Sequence, residues 1–87
     1  PKGAVVEDAR EPLIDIFNET DSIQVVAEMP GVAEEEIKYE LKGDVLILQT
    51  LGEKKYNKEI LLPAPVNPES VEKSYQNGIL EIRLKKR

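Results

Sequence analysis

Two residue types are missing from this chain, and each absence removes a class of chemistry. Without cysteine there is no disulfide framework, no thiolate metal site and no thiol nucleophile. Without histidine the usual general base, the serine–histidine pair and the commonest zinc ligand are lost together. Ser22, Ser70 and Ser74 then have nothing to activate them, and the chain reads as a non-enzyme. Basic residues are the minority, 12 against 17 acidic ones for a net charge of -5, whereas nucleic-acid phosphates demand a clustered basic face. A nucleic-acid partner is therefore not expected. No apolar run approaches the roughly 18 residues of a membrane span, and the opening ten residues lack the charged-then-apolar order of a signal peptide. No membrane partner is expected either, and the cysteine-free composition leans toward a cytoplasmic location. Glu34-Glu35-Glu36 lacks the spaced Asp, Asn and Gly of a calcium loop and reads as a solvated charge run. Asp15, Asp21 and Asp44 sit where carboxylates cap turns. Neither metal nor cofactor is implied.

What is present is a chain of strand signals. With 87 residues, 40% of them hydrophobic, the chain supports one core. Residues 1–12 read as a polar lead-in arm and residues 13–87 as the domain. Because it opens on Pro1 and not Met, the chain reads as an excised or processed piece. Residues 13–19 are rich in β-branched and aromatic residues, and Ile23, Val25, Ala27 and Met29 alternate with the period of 2 that lines one face of a sheet. Pro30-Gly31 ends that strand, and residues 32–37 read as a surface turn. Residues 38–42 and 45–50 flank Gly43-Asp44 as a hairpin, and residues 51–54 form a tight link into residues 55–62. Residues 63–68 hold three prolines, which a central strand excludes, so they cross the surface from one sheet to the other. Residues 71–76 and 79–85 are joined by Asn77-Gly78, the strongest hairpin signal in the chain. The result is an all-β, antiparallel, immunoglobulin-like β-sandwich of about seven strands.

Glu28-Met29-Pro30-Gly31-Val32, Gly43-Asp44-Val45-Leu46-Ile47, Leu61-Leu62-Pro63 and Tyr75-Gln76-Asn77-Gly78-Ile79-Leu80-Glu81-Ile82 occur in this order. Together they resemble the ordered signature of the α-crystallin domain of small heat-shock proteins, over about residues 11–85. The resemblance implies an ATP-independent chaperone, a holdase that binds non-native or extended polypeptide. In the family the main groove lies between the strands at residues 38–42 and 71–76, which makes Tyr39, Leu41, Val71, Lys73 and Tyr75 the candidate groove residues. Unfilled, that groove would lie open or be covered by Ala4-Val5-Val6 or by a neighbouring molecule.

Three features depart from the pattern. The connection at residues 51–55 is short where bacterial, archaeal and plant relatives carry an exchanged strand. No Ile-x-Ile tail follows the last strand, and Lys58 stands where arginine is expected. Large shells are thus not expected; a monomer or dimer is, with Tyr56, Lys58 and Ile60 marking the candidate dimer edge. The other reading is an adaptor, similar to a CS-domain cochaperone or a gas-vesicle accessory protein, that binds one dedicated partner through the same sandwich.

Overall fold

The computed structural model describes residues 9–52 and 55–87. Within them lie β1 (Ala9–Arg10), β2 (Leu13–Asn18), β3 (Ser22–Glu28), β4 (Ile37–Lys42), β5 (Val45–Thr50), β6 (Lys55–Leu61), β7 (Glu72–Gln76) and β8 (Ile79–Lys85). They form two four-stranded sheets, ordered β1-β6-β5-β4 and β2-β3-β8-β7. All pairs are antiparallel except β1 on β6, which is parallel at Ala9↔Lys55 and Arg10↔Tyr56. The expected sandwich is therefore present, with a two-residue parallel strand added at its first edge.

The alternation that marks the strands also makes the core. In β3, Ile23, Val25 and Ala27 are buried; in β8, Leu80, Ile82 and Leu84; in β5 and β6, Leu46, Leu48, Tyr56 and Ile60. The register sets them in rows, with Ile23 opposite Leu84, Val25 opposite Ile82 and Ala27 opposite Leu80. A one-residue slip would turn the whole apolar set to solvent, so this burial fixes the pairing. Each buried valine, leucine or isoleucine in these rows contributes roughly 1.5–3 kcal/mol.

The hairpin turns have the expected backbone. Asn77 and Gly78 both take positive φ, 55° and 79°, the primed turn whose twist matches that of the strands it joins. Residues 63–68 cross between the sheets as expected. Val66 bridges Lys86 on the way, and Asn67 accepts the Glu69 N–H at 3.0 Å as it caps a single 3₁₀ turn, Pro68–Ser70. Residues 32–37 are more ordered than a plain surface turn, because Glu34–Glu36 form another 3₁₀ turn. The Glu36 carboxylate accepts the Ala33 N–H at 3.3 Å, and the Leu51 N–H reaches the Glu36 carbonyl at 2.9 Å. One of the three clustered charges is thus engaged locally. Of the tight link at residues 51–54, Glu53 and Lys54 lie outside the described residues, as does Ala4-Val5-Val6.

Candidate functional site

β4 and β7 are the last strands of their respective sheets, and the approach of the Lys73 ammonium to the Tyr39 ring places them across from each other along one seam of the sandwich. Register decides which side chains enter it. Tyr39 and Leu41 sit opposite Leu48 and Leu46 in β5, whose side chains are fully buried, so both point inward. Lys73 and Tyr75 sit opposite Ile82 and Leu80 in β8, likewise core residues, and they too point inward. Their neighbours Lys38, Glu40, Lys42, Glu72, Ser74 and Gln76 alternate to the outer faces and are exposed.

The five sequence-predicted groove residues therefore share one seam at graded depth. Leu41, Val71 and Tyr75 are half-buried and pack against the core. Tyr39 is 41% exposed at the rim, and the Lys73 ammonium stands 6.0 Å from the centre of its ring, at the outer limit of cation–π attraction. A strip of aliphatic and aromatic surface flanked by lysine results.

Tyr75 has a second task that its alternation does not announce. Its hydroxyl lies 2.7 Å from the Met29 carbonyl and 2.8 Å from the Val32 carbonyl. Tyr56, from the other sheet, donates to the Pro30 carbonyl at 3.3 Å. The Met29 N–H in turn donates to the Gly78 carbonyl at 2.7 Å, and a Cβ on Gly78 would stand 3.1 Å from the Pro30 Cα. The Pro30-Gly31 and Asn77-Gly78 turns are thus packed on each other, with two tyrosines tying the corner to both sheets. Met29, Pro30 and Val32 act here through their main chain, a role for which the sequence carries no signal beyond the unusual Pro-Gly pair.

The three candidate dimer-edge residues lie elsewhere. Tyr56 and Ile60 are buried in the core, and the Tyr56 N–H donates to Thr50 Oγ1 at 2.7 Å. Lys58 is partly covered and pairs with Glu11 at 3.1 Å. β1 covers the outer edge of β6 at Lys55 and Tyr56. What this edge offers a second copy is main chain beyond Tyr56, since the inward side chains are committed to the core and to Glu11.

A protein-family model described as the GerT C-terminal domain matches residues 16–84. Among curated proteins, a probable 15 kDa heat shock protein of Leptospira interrogans is 26% identical over 91 residues, covering 87% of this chain and 70% of that protein. Among solved structures, a point mutant of hsp14.1 from Sulfolobus solfataricus superposes with a TM-score of 0.80 at 29% identity, over 90% of this chain and 80% of the other. Heat shock protein 16.0 from Schizosaccharomyces pombe gives a TM-score of 0.83 at 20% identity, over 98% and 73%.

Proposed function

Because the chain belongs to the GerT C-terminal domain family and has the α-crystallin fold of the small heat-shock proteins, we propose that it is an ATP-independent holdase module that receives extended segments of non-native polypeptide. The receiving site is the seam between β4 and β7. The observation that carries this reading is the inward parity of Tyr39, Leu41, Lys73 and Tyr75 on facing edge strands. A peptide laid along either edge adds main-chain hydrogen bonds while alternate side chains enter the seam. Nothing in this step needs nucleotide or bond chemistry. The likeness to heat shock proteins of two other organisms supports a chaperone-type role.

Direct titration tests it. An eight-residue peptide with an Ile-x-Ile core should shift the amide resonances of Tyr39–Lys42 and Val71–Tyr75 together. Leu41→Glu would place a charge against the core that Leu41 packs on and so mixes binding with folding. Tyr39→Glu, at the exposed rim, is the cleaner variant. It should lower both peptide binding and suppression of client aggregation by about tenfold, the scale of losing one partly buried aromatic contact, with the melting temperature little changed. If no resonance on either strand moves while the domain stays folded, the groove reading fails. The dedicated-adaptor reading then replaces it.

A further inference from the structure

The sandwich has a second open margin, on the side of β2. β2 ends the sheet β2-β3-β8-β7, and among the described residues no strand pairs with its outer edge. Its surface is unusual for a free edge. Such edges are commonly protected by lysine or by proline within the strand, and β4 conforms with Lys38 and Lys42. β2 instead leaves Leu13, Ile16 and Phe17 71%, 40% and 49% exposed. Leu13 and Phe17 lie on the outer face and Ile16 on the inner one, as their partners Glu28, Gln24 and Val25 require. Apolar surface therefore flanks the unpaired main chain on both sides.

The electrostatics of this margin are acidic on balance: Arg83 and Lys85 of β8 share a cleft with Glu19, but neither β2 nor β3 carries a cation of its own. From Glu11 to Ile37 the sequence has no lysine or arginine, and Glu11, Asp15, Glu19 and Glu28 all lie on β2, beside it or on its neighbour β3. Lys58, from β6, answers Glu11 alone, at 3.1 Å. At the start of β2 a cleft of about 280 Å³ is lined by the apolar Pro12, Leu13, Pro30 and Tyr56 together with Glu11 and Glu28. A lining that combines apolar surface with carboxylates suits the methylene stem and charged head of a lysine or arginine. A second copy of β2 is a poor occupant, because an antiparallel pair would set these carboxylates against one another with no cation between them.

We propose that the β2 margin is a distinct docking site for extended polypeptide segments that alternate apolar and basic residues, added as a fifth strand to the β2-β3-β8-β7 sheet. The main chain of β2 supplies hydrogen bonds, Leu13, Ile16 and Phe17 supply apolar contact, and the carboxylates select basic side chains. The inference rests on the chaperone reading and deepens it by naming a client chemistry that the lysine-flanked β4–β7 seam does not favour.

The test uses the intact chain and two eight-residue peptides, one alternating lysine with valine and one alternating glutamate with valine. The lysine peptide should shift amides over residues 13–18 and 24–28 and bind at least about tenfold more tightly than the glutamate peptide, the advantage shrinking as salt rises. Asp15→Lys, at an exposed position, should weaken the lysine peptide about fivefold or more without changing the melting temperature. Tyr39→Glu should leave this binding intact, and continued β2 binding where Ile-x-Ile peptide and client assays fail would keep the site while removing the holdase reading. Equal binding of the two peptides, shifts confined to β4 and β7, or loss of lysine-peptide binding in Tyr39→Glu would each overturn the proposal.

Discussion

Replacing Tyr75 by phenylalanine deletes one hydroxyl and little else, and its cost can be worked from the corner it serves. The hydroxyl has one proton and two carbonyls within reach, at 2.7 Å and 2.8 Å, so one hydrogen bond is lost at any instant. A net bond contributes about 1 kcal/mol, and a carbonyl stranded in a half-buried site adds up to about another, for a total of roughly 1–2 kcal/mol. For a domain of this size each kcal/mol moves the melting temperature by about 4–8 °C, so Tyr75→Phe should lower it by about 5–15 °C in scanning calorimetry. Tyr56→Phe is the control. Tyr56 is the more buried ring, yet its hydroxyl bond is long, 3.3 Å, and should contribute no more than about 0.5 kcal/mol. Bond geometry and not ring burial should therefore rank the two variants. A Tyr56→Phe variant that melts at or below Tyr75→Phe would refute the reasoning. Peptide binding to the seam should survive Tyr75→Phe, since the ring that lines it is retained.

Thr50→Val keeps shape but removes the acceptor of the buried Tyr56 N–H; it should cost about 1–3 kcal/mol in urea unfolding, and a change below about 0.5 kcal/mol would mean that the amide finds another partner. Gly43→Ala and Gly78→Ala both force alanine into positive φ, at about 1 kcal/mol, but only at Gly78 does the new Cβ crowd the Pro30 backbone; Gly78→Ala should thus be the more destabilising by about 1 kcal/mol or more, and equal midpoints for the pair would contradict the packed-turn corner. Lys58→Ala removes the contact with Glu11, a residue 76% exposed in its side chain; it should change stability by less than about 1 kcal/mol, and a larger loss would show that β1 depends on this ion pair.

Strands whose side chains alternate cleanly could be read from sequence almost to the residue, because the same alternation that signals Ile23, Val25 and Ala27 also buries them. The hairpins followed from Gly43-Asp44 and Asn77-Gly78, whose residue types suit the turn geometry they adopt. β1 was not legible, since two residues carry no period and their pairing is set by β6 forty-six positions away in the register. The groove residues could be named by resemblance, but their inward parity comes from the opposing rows of β5 and β8. The tasks of the Tyr56 and Tyr75 hydroxyls were invisible for a related reason: their acceptors lie 26 and 46 residues away at Pro30 and Met29. β2 reads as an ordinary strand, and only the sheet order makes its exposed Leu13 and Phe17 an edge.

The way the two sheets draw on the chain has a consequence for its synthesis. β4, β5 and β6 follow one another directly and pair in that order, so this meander closes from neighbouring residues and is complete once Leu61 has been made. The covering sheet is assembled from opposite ends of the sequence, with Ile23 paired to Leu84 and Val25 to Ile82. Pairing at that separation carries the larger loop-closure cost and sets the slow step. Until residues 79–85 leave the ribosome, the face bearing Leu46, Leu48 and Ile60 has no β8 to cover it. A nascent chain of this protein is therefore itself an aggregation-prone species between the synthesis of Leu61 and that of β8, and the order of its strands gives it the same need for protection that its folded form would meet in others.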